Sequence, residues 1–483
     1  ILKDSKASLL IAARRFSEQV EQLGQSETGL KQVLWVGEGD ASEVFEGMDY
    51  EDALSGQSSS SLPDLDISDE AVAHLYYTSG TTGLPKGVML THKNVSTHAL
   101  GTIAELNLAD RDVWIHVAPM FHLADAWATF AITWVGGRHV MVPDFDPPQV
   151  LNLIQEERVT ISNMIPTMLN MLVNTEGVET YDFSSLRAIL SGGASIAPEV
   201  VRKIMDVFKC DYIQTYGMTE TSPYLTLSIL KNHLEDLTPE KRFTYKAMTG
   251  RAFITVDLKV VRENGEDIQA DGHEVGEIIV KGDTVTTGYW NRPEETEKAF
   301  KDGWLHTGDM AVINEEGYVN IVDRKKDMII TGGENVYSTE VENVLYEHPA
   351  VLEAAVIGVP DDHWGEAVKA CVVLRSGQTV TENDVIDFCK KNIAHYKAPK
   401  TVDVLEELPK VGSGKIFKKG LRERYLKRGW HTFWIPAFAG MTGSIPLSSF
   451  PRRRESRSLF HNFLRCYGHF MKDNDILIQS CIF

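Results

Sequence analysis

The segment Tyr76–Asn94, YYTSGTTGLPKGVMLTHKN, places three glycines, four threonine or serine hydroxyls and one lysine between Thr78 and Gly87. That composition suits a phosphate cradle: glycine lets the backbone come close, amide and hydroxyl protons face oxygen anions, and an ammonium adds charge. A nucleotide loop of the GxxxxGK[ST] kind also needs a second glycine five residues after the first, and a hydroxyl after the lysine for magnesium. Counted from Gly80, the second glycine falls on Pro85, and Lys86 is followed by Gly87. The spacing therefore fails at two positions. What remains is a flexible turn or a phosphate loop of another kind.

The chain has 483 residues, 43% of them apolar, enough for more than one domain with a sizeable core. A formal charge of −20 argues against nucleic acid or anionic membrane as a general partner, because both need a broad positive field. An anionic ligand must then be met by a local cluster of Lys and Arg. Five cysteines without CxxC or Cys/His ligand spacing suit free thiols in a reducing, cytoplasmic compartment and offer no zinc site. The most apolar long stretch, Trp114–Gly137, is broken by His116, His122 and Asp125, so it reads as core elements and not as a membrane span. Peripheral membrane contact and homo-oligomerisation stay open. The chain opens at Ile1, inside the amphipathic run SKASLLIAARRFSEQVEQL and without a signal-peptide layout, which leads us to expect a shortened N-terminal region.

Outward from the loop, a Ser-rich acidic linker (Gln57–Asp69) precedes it, and short apolar strands alternate with helical patterns as far as about Val322. The spacing predicts a helix over Pro198–Phe208, with proline in the first turn and a stripe of Val200, Val201, Ile204, Met205 and Phe208. This alternation predicts an α/β domain with a largely parallel sheet. Between Val256 and Tyr289 the pattern changes to period-two strands with turns at Asn264-Gly265 and Asp271-Gly272, which predicts an attached β-rich subdomain. After Asp323 come a β pair around MIIT, a helix with capping-box spacing at Thr339 and Glu342, and a helix over Asn383–Ile393: a small α+β domain. The domains expected are thus 1–322 and 327–429, joined at 323–326. From Trp430 the chain carries six Lys/Arg against three Asp/Glu and lacks sustained periodicity, so no packed domain is expected there. WIPAFAGMTG and FPRRRESR look like a translated bacterial repeat element.

The Thr78–Gly87 stretch closely resembles the loop [ST]SG[ST]TGxPKG of the adenylate-forming superfamily, which includes acyl-CoA synthetases, peptide-synthetase adenylation domains and beetle luciferases. Further motifs follow in the family's order. The resemblance runs from about Leu75 to Arg428, with a lead-in shorter than the family's. It implies an acetyl-CoA synthetase-like fold, a large α/β domain with a β-rich subdomain and a small mobile α+β domain. Its substrates would be ATP, a small carboxylic acid and coenzyme A, with Mg²⁺. Thr78, Ser79, Gly80, Thr81, Thr82, Gly83 and Lys86 would then hold phosphates. QTYGMTET resembles the family's YGxTE motif, which gives Tyr216 to adenine, Thr219 to phosphate and Glu220 to magnesium, with Gln214, Gly217 and Met218 among the ATP- or AMP-binding residues. WLHTGDMA gives Asp309 to the ribose hydroxyls. In VDRKKD, Arg324 would contact ribose or phosphate and Lys326 would be the hinge; the pair also reads as a solvated turn. Gly332 and Gly333 would line the thiol path, and Lys415 of LPKVGSGKIFKK would be the catalytic lysine.

The same resemblance bears on the substrates. In APMFHLADAW, His122 stands where amino-acid-activating members keep an Asp for the substrate ammonium, which argues against an amino acid. His122 is either a core residue or the histidine that many acyl- and aryl-CoA synthetases place between acyl carboxylate and thiol. Gly192, Gly193 and Ala194 leave room for an elongated or flat apolar acid, fatty or aryl, and the TGGENVYSTEVE wording is closest to fatty-acyl-CoA ligases, which implies fatty acid metabolism. Lys397 and Lys400 are a candidate patch for coenzyme A phosphates. Transfer to an amine or carrier protein, and a nucleotide-binding remnant without turnover, are the alternatives.

Overall fold

Ile161–Met164 and Ala188–Ser191 are apolar runs too short for a helix, and they form strands buried at every residue, as strands covered on both faces must be. The computed structural model of the chain describes residues 1–23, 29–39, 47–57, 66–79, 85–193, 196–361, 363–410 and 415–429. The tail from Trp430 lies outside them. Two units divide after Lys326.

In the first unit, strands Arg138–Met141, Val113–His116, Ile161–Met164, Ala188–Ser191 and Asp211–Gly217 pair in parallel in that order. Asp211–Gly217 turns its other edge to Tyr224–Leu227, which runs antiparallel. From there the same sheet continues through Gly250–Ala252, Tyr318–Arg324, Trp304–Ile313, Gly276–Lys281 and Asp257–Val261. The expected β-rich region is this antiparallel part, attached to the parallel strands through Asp211–Gly217. The second edge of Asp211–Gly217 needs hydrogen-bond partners, and the antiparallel strands supply them. Asp211–Gly217 is thus where parallel pairing gives way to antiparallel.

Helix Pro198–Phe208 begins with its proline as the sequence predicts and buries Val201, Ile204 and Phe208, with Val200 and Met205 partly covered. The opening amphipathic run divides into a strand, Leu9–Ala13, and short helical turns. Leu10 and Ala12 of that strand join Val20, Val33 and Trp35 in a small separate core.

The second unit is built on a five-stranded sheet whose centre is the antiparallel pair Val351–Asp361 and Gly365–Leu374. Period-two alternation decides its two faces. Val356, Val368, Ala370 and Val372 pack under helices Ser338–Glu347 and Glu382–Asn392, while Ala355, Ile357, Cys371 and Val373 pack with Leu408 and with Leu421 of helix Lys418–Gly429. The capping box expected from Thr339 and Glu342 does not form. That helix starts at Ser338 without a side-chain cap, and buried Glu342 instead accepts from the Val356 amide (2.7 Å). The next helix begins at Glu382, one residue early, because Thr381 and Asp384 make a reciprocal capping box.

Candidate active site

The hairpin Val72–Ser79 and Pro85–Thr91 brackets the glycine-rich turn, with Thr78 opposite Lys86 and Ser79 opposite Pro85. Gly80, Thr81, Thr82 and Gly83 lie outside the described residues. Thr91 and Asn94 close a capping box that starts helix His92–Leu106, so the hairpin passes directly into a helix. The same hairpin is fastened to a loop nearly two hundred residues away. The Met89 amide donates to the Gly288 carbonyl (3.1 Å), the Trp290 amide donates to Gly87 (2.8 Å), and Asn94 Nδ2 donates to the Asp283 carbonyl (2.8 Å).

That loop joins the hairpin to Glu220. Tyr289 donates its hydroxyl to Glu220 Oε1 (2.9 Å), and the Thr286 amide donates to the Glu220 carbonyl (2.7 Å). Burial and the Glu220 charge push the Tyr289 hydroxyl pKa far above its usual range, so Tyr289 is a permanent donor. Glu220 sits on the one-turn helix Thr219–Thr221, is 8% exposed, and has no hydrogen-bond partner on Oε2 among the described residues. Lys86 is not idle in this state: it pairs with Glu295 and lies 5.0 Å from the Tyr289 ring centroid.

On the adjacent side, Gln214 and Tyr216 come from the carboxyl end of Asp211–Gly217. Gln214 is buried, its side chain accepting from the Tyr212 hydroxyl. Antiparallel register sets Asp309 opposite Arg324. Asp309 then accepts from the Tyr216 hydroxyl on Oδ2 (2.7 Å) and pairs with Arg324 Nε on Oδ1 (3.1 Å). Burial, and after it the Asp309 charge, hold the Tyr216 proton in place. A largely buried carboxylate (4% exposed) thus ties an aromatic ring to a cation. Met218 follows, its amide donating to Thr221 Oγ1 (3.2 Å).

Gly217 permits this corner. A Cβ there would lie 1.8 Å from the Pro223 carbonyl oxygen, a backbone atom that cannot step aside. We expect Gly217→Ala to lower stability by roughly 3 kcal/mol, as overpacking does, read as a lower urea midpoint at unchanged m-value. A Cβ on Gly192 would meet Thr215 Oγ1 at 2.1 Å and Thr215 O at 2.7 Å, so glycine here lets the neighbouring strand approach. Gly193 has φ +85°, a turn requirement, and Ala194 lies outside the described residues.

His122 caps helix Leu123–Ala126, its Nδ1 accepting from the Ala124 amide (3.1 Å), which puts the proton on Nε2 when the ring is neutral. Three residues on, Asp125 is fully buried. It accepts from Trp114 Nε1 (2.9 Å) and meets His116 Nδ1 at 3.1 Å, and His116 Nε2 meets His139 Nδ1 at 2.8 Å. Tyr289, which holds Glu220, was missed, because a single tyrosine in a loop offers no signal in the sequence.

In the second unit, Gly332 and Gly333 turn the Ile329–Thr331 and Glu334–Val336 hairpin. A Cβ on Gly333 would meet nothing within 4 Å, whereas one on Gly332 would lie 2.7 Å from the Trp364 ring. Lys397 forms a bidentate pair with Glu340 (2.7 and 2.8 Å), which cancels much of the positive patch expected from it; Lys400 is exposed. Lys415 follows the segment 411–414, outside the described residues, and precedes the bridge of Ile416 to Lys410. Lys326 sits in the turn that ends the first unit.

A glycine-rich hairpin tied to a buried carboxylate, next to an aromatic–carboxylate–guanidinium chain, is the kind of arrangement a nucleotide-binding enzyme uses. The family model for AMP-binding enzyme matches residues 1–290, and that for the AMP-binding enzyme C-terminal domain matches residues 340–415. The chain belongs to the AMP-binding enzyme family. It is 38% identical over 364 residues to a feruloyl-CoA synthase from an Amycolatopsis species, covering 75% of this chain and 72% of the relative. It is 37% identical over 374 residues to the 2-succinylbenzoate–CoA ligase of Bacillus cereus strain Q1, covering 77% and 74%. Among solved structures, ATP-bound MatB from Rhodopseudomonas palustris superposes with a TM-score of 0.77 at 30% identity, covering 88% of this chain and 80% of that one.

Proposed function

We propose that this chain is an AMP-forming acid–thiol ligase that joins an aryl or elongated apolar carboxylic acid to coenzyme A at the expense of ATP. The observation that carries this reading is the joining of the glycine-rich hairpin, through Gly288, Tyr289 and Trp290, to Glu220 beside the Tyr216–Asp309–Arg324 chain. The names of the two relatives just given, feruloyl-CoA synthase and 2-succinylbenzoate–CoA ligase, favour an aryl acid over a fatty acid.

In the first half-reaction a carboxylate oxygen attacks the α-phosphorus of ATP and pyrophosphate leaves. Tyr216 packs against adenine, Asp309 accepts from the ribose hydroxyls, and Thr219 and the Thr78–Gly87 loop hold phosphates. Lys86 exchanges Glu295 for the γ-phosphate. Lys415 supplies the fixed ammonium that offsets charge between two anions. Among the described residues no group of three metal-ligating side chains exists, and a single carboxylate suits magnesium, which takes its remaining ligands from phosphates and water. Glu220 Oε2 is the oxygen that would hold it. When bound, magnesium neutralises phosphate charge.

In the second half-reaction the thiol attacks the acyl carbon and AMP leaves. His122 orients the acyl carboxyl, the open face of Gly333 beside Gly332 admits the thiol-bearing arm, and Lys400, with Lys397 once released from Glu340, meets the coenzyme A phosphates. Lys326 is the pivot between the two half-reactions. Lys326→Pro is expected to leave acid-dependent pyrophosphate release near the parent rate while thioester formation falls about tenfold or more. Equal losses in both would remove the pivot. The substrate class is tested by a panel of ferulate, 2-succinylbenzoate and saturated fatty acids, reading AMP and thioester. Highest kcat/KM on an aromatic acid supports the aryl reading, and highest on a fatty acid reverses it. No helix among the described residues is long and apolar enough to cross a membrane, and Cys210, Cys371 and Cys389 are free thiols, which supports a cytoplasmic setting.

A further inference from the structure

Helix Lys418–Gly429 begins three residues after Lys415 and ends the described part of the second unit. Its docking stripe is Lys418, Leu421, Arg422 and Tyr425, the i, i+3, i+4, i+7 spacing of one helical face. Leu421 is 1% exposed, in the core with Ala355 and Ile357. The other three contacts are polar. Lys418 Nζ lies 2.7 Å from both Ser338 Oγ and Glu342 Oε1, and Tyr425 donates its hydroxyl to Asp403. Arg422 donates from one terminal nitrogen to Asp327 Oδ1 (2.9 Å) and from the other to the Asp327 carbonyl (3.3 Å).

Asp327 is the first residue of the second unit, next to Lys326. Just before the helix starts, the chain is held by the Lys410–Ile416 bridge and by the Phe417 amide, which donates to the Pro409 carbonyl (2.7 Å). Lys415 is therefore followed by a helix that is anchored, one turn from its start, to the pivot end of the same unit. One buried leucine alone would let the helix slide or roll; a two-pronged guanidinium contact fixes its register.

We infer that Arg422 is a positioning residue for Lys415, setting the place of its ammonium relative to the pivot through the Asp327 contact. This rests on Lys415 being the adenylation lysine. A misplacement of about 1 Å at a reacting group costs up to about 10²-fold, so the adenylation kcat of Arg422→Ala should fall roughly tenfold or more. KM for ATP and for the acid stays at the parent value. Conversion of a preformed acyl-adenylate to thioester by coenzyme A is unchanged. Asp327→Asn, which keeps the shape, shows the same split, and Arg422→Lys restores part of the loss. In a Lys415→Ala background, Arg422→Ala has no further effect, because residues acting as a unit are not additive. Equal loss in both half-reactions, a raised KM, or an additive loss in the Lys415→Ala background would overturn the inference. Failure of the underlying reading shows separately, as a Lys415→Ala variant that adenylates at the parent rate.

Discussion

Lys415→Ala is expected to slow acid-dependent pyrophosphate release by about 10²–10³-fold, the equivalent of roughly 3–4 kcal/mol of lost transition-state stabilisation. The argument is one of charge. A carboxylate attacking an α-phosphate brings two anions together, and in the transition state the negative charge of both is concentrated between them. A preorganised ammonium gains most of its interaction there and little in the ground state, so its loss falls on kcat and leaves KM for ATP near the parent value. Thioester formation from preformed acyl-adenylate involves no attack on phosphorus and should be nearly unaffected. Rapid-quench measurement of the two half-reactions checks both statements. A Lys415→Ala variant impaired only in the second would reverse the assignment.

Asp309→Ala should lower kcat/KM for ATP by about 10²-fold, chiefly through KM. The carboxylate is 4% exposed and already accepts from Tyr216 while pairing with Arg324. Each charge-assisted hydrogen bond to a ribose hydroxyl contributes about 1.5–3 kcal/mol, and alanine removes both while leaving Tyr216 and Arg324 without this partner. Asp309→Asn keeps the shape and one acceptor oxygen, so it should lie between alanine and the parent. Isothermal titration with a nonhydrolysable ATP analogue reads the effect without chemistry. An affinity unchanged in Asp309→Ala would place the ribose elsewhere.

Much of this site was legible in the sequence because its parts are local. The glycine-rich hairpin, the strand end carrying Tyr216 and Gly217, and the Gly332–Gly333 turn each lie within a run of about ten residues whose composition dictates the backbone. Asp309 and Arg324 were both picked out, but their pairing depends on antiparallel register, which no local run encodes. Tyr289 was invisible for the same reason, since its value lies in a contact with Glu220 that is 69 residues distant in sequence. At Gly192 a missing side chain makes room equally for a ligand or for a strand, and no local run reveals that Thr215 lies where its Cβ would be. Thr339 and Glu342 had the spacing of a capping box, yet Glu342 is drawn instead to Lys418 and to the Val356 amide, a tertiary pull stronger than a local cap. The β-rich subdomain was legible, but its junction with the α/β core at Asp211–Gly217 was not, because strand periodicity reveals strands but not their neighbours.

The account is tested most directly by a single-turnover reaction with ATP, magnesium and the best acid of the panel, first without and then with coenzyme A. Acyl-adenylate and pyrophosphate should accumulate in step and in amounts close to the enzyme concentration. Added coenzyme A should then convert the adenylate to thioester and AMP. Formation of ADP and phosphate in place of AMP and pyrophosphate, or ATP binding with no adenylate from any acid tried, would contradict it.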